Sequence, residues 1–225
     1  RESQVSYAFR TPAECLLQDR RVGNLVAGVN DTNEQNSRWR LGTKWKDTVV
    51  IGMLAYPLAP SLQDLLTEVA NGNPVLILQN IGTPLLPRWH FAVVVGYDLE
   101  ADSIILRSGT TRRWHSNLAT LERTWARANH WAVMVVPPNR VPVTASAQRF
   151  LKAAYDLETS RQPDAAGVAY AAATKRWPQQ PEAWLMAGNL FYTQARYSDA
   201  VAAFKQAVAV TPGNPRHWNN LAYGL

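Results

Sequence analysis

Apolar positions follow two different rhythms along this chain of 225 residues. Between Met53 and Pro138 they come mostly as short unbroken runs, whereas from Ala147 onward they recur at helical spacing. The first stretch opens with SLQDLLTEVANG, where Leu62, Leu65, Leu66 and Val69 fall on one helical face. Ser61 is suited to cap its first turn and Gly72 to end it, so a helix is predicted there. NPVLILQN is an apolar run bounded by turn residues and reads as a buried strand. WHFAVVVGYD, rich in β-branched residues, is a second strand, and SIILRSG, beyond a turn at Glu100 to Asp102, is its hairpin partner. HWAVMVVPP closes the region as a fourth. A helix followed by strands joined through short connections predicts an α+β domain with an antiparallel sheet.

The second rhythm has a period of 34 residues. With Pro181 as position 1, Trp184, Ala187, Gly188, Phe191, Ala200, Phe204, Ala207 and Pro212 take positions 4, 7, 8, 11, 20, 24, 27 and 32. One period back, from Ala147, the same slots hold Phe150, Ala153, Ala154, Leu157, Ala166, Tyr170, Ala173 and Pro178. One period forward, Pro215 is followed by Trp218, Leu221, Ala222 and Leu225. Two short helices that cross closely need small residues at the contact and large ones beside it, and proline after the second helix ends it. These positions resemble the tetratricopeptide repeat, two complete units and the first helix of a third. The resemblance implies an all-α helical-hairpin domain over residues 141–225 that binds a polypeptide substrate or a protein partner.

Composition changes this picture little. Nine Trp and eight Tyr argue for burial throughout and against disorder. The net charge of +6 is spread out: 8 basic and 6 acidic residues over 1–52, 7 and 6 over 53–140, 8 and 5 over 141–225. Arg107, Arg112 and Arg113 cluster without interleaved aromatics on a nucleic-acid motif, so a solvated basic face is expected rather than nucleic-acid binding. No run of 18 apolar residues exists, so no transmembrane span is expected. The first residue is Arg, not Met, which leaves room for a removed signal or lipid-anchor segment upstream. His115, His130 and His217 stand at unrelated spacings, no metal site is expected, and no cofactor is called for. Asp98 and Asp102 are expected to solvate a hairpin turn.

Cys15, the one cysteine, and His90, at the start of the second strand, are the candidate catalytic residues. The segments GNPVLILQN, WHFAVVVGYD, SIILRSG and LERTW resemble the papain-like bacteriocin-processing cysteine peptidases over roughly residues 54–138. The resemblance implies a papain-like fold over residues 1–140 and a cysteine nucleophile on an N-terminal helix, here within AECLLQDRRVGNLVAG, 75 positions before His90. A thiol needs a neighbouring imidazole and a helix N-terminus to become thiolate at neutral pH. It further implies a bacterial protein, exported or lipid-anchored, that cuts polypeptides. Three positions depart from that pattern: Phe9 replaces the oxyanion glutamine, Leu16 rather than glycine follows the cysteine, and Arg107 matches the position of the acid that orients the histidine. Ser108 can accept a hydrogen bond but cannot stabilise imidazolium as a carboxylate does. Two expectations follow, a cysteine peptidase whose repeats recruit substrate, or a catalytically degenerate peptidase-like domain serving as a peptide-binding scaffold. The polar stretch NDTNEQNSRWRLGTKWKDT reads as a long loop.

Overall fold

A computed structural model describes residues 5–7, 52–83 and 85–225. Cys15, Phe9, Leu16, the expected N-terminal helix and the polar loop after it lie outside the described residues. The described residues form two compact units. The first includes Ala55–Val135 and Pro142–Thr144; the second includes residues 52–54, Val136–Val141 and Ala145–Leu225.

The first unit is built on β1 (Val5–Tyr7), β2 (Leu54–Pro57), α1 (Leu62–Ala70), β3 (Val75–Asn80), β4 (Trp89–Asp98), β5 (Ser103–Ser108), β6 (Thr111–Asn117), α2 (Leu118–Ala126) and β7 (Ala132–Val136). They form one sheet in the order β2-β7-β3-β4-β5-β6, with β1 alongside the far end of β4. The pairings of β3 with β4, β4 with β5 and β5 with β6 are antiparallel, as their short connections predict, and the long-range pairing of β3 with β7 is antiparallel too. Helix α1 starts where expected: Ser61 is extended, and its Oγ accepts from the Asp64 amide at 3.2 Å. Gly72, at φ +77°, makes the exit turn. Glu68, on the buried side of this helix, is 0 % exposed. Its carboxylate accepts from Asn73 Nδ2 (2.5 Å), the Thr144 amide (2.6 Å) and Thr144 Oγ1 (2.7 Å), which satisfies a charge that burial alone would not tolerate.

Strand β6 and helix α2 escape the apolar pattern. TRRWHSN carries no buried residue, because β6 lies at the end of the strand order. Helix α2 buries only Leu121 and Trp125, one turn apart, and is started by Asn117 Oδ1 accepting from the Ala119 amide. Trp125 is fully buried with its indole Nε1 donating to Trp131 O at 2.8 Å, so its one polar atom is satisfied.

The second unit is a succession of helical hairpins: α3 (Ala147–Thr159), α4 (Pro163–Arg176), α5 (Pro181–Thr193), α6 (Tyr197–Val210) and α7 (Pro215–Gly224). The 34-residue period reappears atom by atom. Trp184 Nε1 donates to Pro178 O at 2.9 Å, and Trp218 Nε1 donates to Pro212 O at 2.8 Å. The hairpin turns carry Arg161 at φ +62° and Ala195 at φ +58°, and each is followed by an amide, of Gln162 or Arg196, bonded five residues back to Leu157 O or Phe191 O. Small residues stand where the helices cross most closely. A Cβ on Gly188 would lie 2.5 Å from Phe204 Cε1. Ala200, Phe204, Val208 and Leu221 form a shared core joining α6 to α7. No helix among the described residues is long and apolar enough to cross a membrane.

Candidate functional site

Strand alternation places the side chains around His90. In the β3–β4 pair His90 stands directly opposite Gln79, so both project from one face of the sheet. In the β4–β5 pair the turn sets Asp98 opposite Ser103 and Gly96 opposite Ile105, but beyond an irregularity Val94 faces Leu106 and Val93 faces Arg107. This β-bulge at Val95 moves the register by one residue and exchanges the faces of everything beyond it. A regular hairpin would put Arg107 on the face of His90. The bulge turns Arg107 to the other face, with Val93, and brings Ser108 to the histidine. Ser108 Oγ and His90 Nε2 are 2.7 Å apart. The residue that holds the imidazole is therefore Ser108, and Arg107, which the resemblance to the peptidases matched with their orienting acid, points the other way.

His90 is half-buried, and desolvation lowers its pKa below the ordinary histidine value of 6.5. The ring is thus neutral at pH 7. With the proton on Nε2, the ring donates to Ser108 Oγ and presents Nδ1 as an acceptor; Nδ1 has no hydrogen-bond partner among the described residues. Next to it the buried amide of Gln79 donates from Nε2 to Thr124 Oγ1 at 2.7 Å, and Thr124 Oγ1 donates in turn to Thr120 O. Ser108, His90 and Gln79 make a polar row across β5, β4 and β3, and Thr124 of α2 extends it. An oriented neutral imidazole whose second nitrogen has no partner among the described residues can take a proton from a thiol, hydroxyl or water brought within reach.

The other histidines have local duties. His130 Nε2 is 2.6 Å from Glu122 Oε1, and its ring meets that of Trp125 edge-on. His115 Nδ1 is 3.3 Å from Ser103 Oγ. His217, 3 % exposed, bonds Thr211 Oγ1 through Nδ1 and Asn214 Nδ2 through Nε2, tying the turn before α7. No group of three or more His, Cys, Asp or Glu residues suited to a metal ion occurs among the described residues. Asp98 Oδ1 accepts from the Glu100 and Ala101 amides and so shapes the β4–β5 turn.

The helical unit offers a second site, of another kind. Helix α5 touches both α3 and α7, so these three line one side of the stack. Tyr155 on α3, Tyr192 on α5 and Tyr223 on α7 are all exposed. Tyr155 and Tyr223 are two periods of 34 apart and so occupy equivalent places; Tyr192 lies one helical turn beyond the intervening position, Asn189. Aromatic side chains repeated along one face suit an extended or helical polypeptide, combining apolar contact with hydroxyl hydrogen bonds.

A family model described as tetratricopeptide repeat matches residues 151–215 and 185–223. The C-terminal region is thus helical repeat of tetratricopeptide type, preceded by an antiparallel-sheet region. Repeats of this type point to protein partners and an interaction or scaffold role. A comparison with curated proteins finds no match for the chain.

Proposed function

We propose that the protein is a polypeptide-handling thiol peptidase, with a sheet domain over residues 1–140 that carries the chemistry and a repeat domain over residues 141–225 that holds the substrate or a partner. The observation that carries this reading is the His90–Ser108 pair. An imidazole kept neutral by burial, oriented through Nε2 and with Nδ1 unpartnered among the described residues, suits a cysteine nucleophile. In the proposed reaction Cys15 is the nucleophile. His90 takes the thiol proton as the sulfur attacks the peptide carbonyl and returns it to the leaving amine; water then hydrolyses the thioester. Ser108 orients the ring in place of an acid. It adds no negative charge, so the thiolate–imidazolium pair is less favoured before substrate binds than it would be beside a carboxylate.

The same serine favours a second reading, a peptidase-like domain that retains a groove and has lost its turnover. Incubation of the full chain with a library of unstructured peptides separates the two. The peptidase reading expects cleavage that Cys15→Ala and His90→Ala each abolish, together with faster alkylation of Cys15 than of a free thiol. Undiminished cleavage by the Cys15→Ala protein refutes it, and absence of cleavage with retained peptide binding establishes the second.

A further inference from the structure

The connection between β3 and β4 is an arm whose described residues are held by hydrogen bonds and whose tip is apolar. Beyond Asn80 and Trp89, the last strand pair, the hairpin continues through the Ile81 amide bonded to Arg88 O (2.9 Å) and the Thr83 amide bonded to Leu86 O (3.1 Å). Asn80 Oδ1 braces its base by accepting from the Gly82 and Arg88 amides, Thr83 Oγ1 accepts from the Leu86 amide at the tip, and Arg127 Nη1 donates to Gly82 O at 2.7 Å. Gly82 is required in this packing, since a Cβ there would lie 2.3 Å from Leu86 O. The side chains it carries are apolar and exposed: Leu85 is 91 % exposed and Leu86 76 %, with Ile81 and Trp89 half-exposed.

Charge is arranged around this arm. Arg88 lies on the arm itself, Arg127 is bonded to it, and Arg123 is exposed one turn earlier on α2. Arg112, at the start of β6, sits at the same end of the sheet, because Ser108 pairs with Thr111 and β5 runs antiparallel to β4. It is two strands from β4, about 10 Å away. Asp98, Glu100 and Asp102 occupy the β4–β5 turn at the other end of β4, about 30 Å along the strand. Among the described residues, arginines therefore outnumber the acid Glu122, beside Arg123 on α2, at the end that bears the apolar tip, and the acidic turn lies at the other end.

We propose that this arm docks the protein on an anionic lipid surface, with Leu85 and Leu86 entering the acyl region, Trp89 at the headgroup level and Arg88, Arg112, Arg123 and Arg127 on lipid phosphates. Apolar residues at the tip of an arm with an arginine collar complement a layer that is apolar inside and negatively charged outside. The polarity of the sheet keeps the acidic turn away from that layer.

The test is co-sedimentation of the full chain with vesicles of phosphatidylglycerol mixed into phosphatidylcholine, and with phosphatidylcholine alone. The expected result is binding to the anionic vesicles that weakens with added salt, falls about tenfold or more in Leu85→Ser/Leu86→Ser, and falls likewise in Arg88→Glu/Arg112→Glu. Circular dichroism checks that both variants stay folded, which the exposure of the substituted residues favours. No binding to anionic vesicles overturns the proposal. So does binding that the leucine substitutions leave unchanged, which means adsorption by charge alone, or arm-dependent capture of a protein partner by a chain that does not bind vesicles.

Discussion

Replacing Ser108 by aspartate tests the arrangement around His90 directly. The hydroxyl lies 2.7 Å from Nε2, so a carboxylate at this position is brought within hydrogen-bond or ion-pair range of the ring. Two unit charges about 4 Å apart interact by about 4 kcal/mol at an effective dielectric of about 20. His90 is only half-buried, and solvent screening reduces that figure. A carboxylate partner typically moves a neighbouring pKa by about 1–3 units, each worth about 1.4 kcal/mol, and the low end of that range applies here. The His90 pKa, depressed by burial in the native protein, is therefore expected to rise by about one unit or more in Ser108→Asp.

The linked stability changes sign with it. In the native chain the folded pKa lies below the unfolded value, so His90 contributes stability that is fully present above about pH 6.5 and is lost as pH falls through the folded pKa. If the aspartate lifts the folded pKa above the unfolded value, its contribution is fully present below about pH 6.5 and is lost as pH rises through the new folded pKa. Proton–carbon correlation spectra of the histidine Cε1–H groups, assigned by a His90→Gln variant, follow the titration residue by residue. An unaltered His90 titration in Ser108→Asp would refute the assignment of Ser108 as the group that holds the ring.

Three further outcomes are expected. Glu68→Gln keeps the shape but turns an amide donor toward donors already present at Asn73 and Thr144, and should lower stability by about 1–3 kcal/mol in urea unfolding, with Glu68→Ala costing more. Gly188→Ala drives a methyl into the Phe204 ring and should cost about 1–3 kcal/mol, read as a lower melting temperature that Phe204→Leu partly restores. Trp184→Phe keeps most of the ring volume but leaves Pro178 O without its indole donor, and should cost about 1 kcal/mol, with Trp218→Phe costing a similar amount at Pro212 O.

The sequence by itself determined the elements whose signals are local. The helix from Ser61 to Gly72, the four apolar strands and the 34-residue hairpins were legible because caps, apolar runs and crossing residues act within one or two turns or strands of themselves. Even paired details such as the Trp184 and Trp218 hydrogen bonds follow from the period, since equivalent residues meet equivalent surroundings. Strand β6 and helix α2 were not legible, because an edge strand buries nothing and two buried residues on α2 leave too faint a periodicity. Glu68 carries no signal of burial in the helical pattern, which places only Leu62, Leu65, Leu66 and Val69 on the apolar face. Only the arrival of Thr144, 76 residues later, makes its burial affordable. At the candidate site the sequence marked His90 and could not choose its partner. Face alternation is set by register, register beyond the turn is set by a single bulge at Val95, and a shift of one residue decides whether an arginine or a serine meets the imidazole.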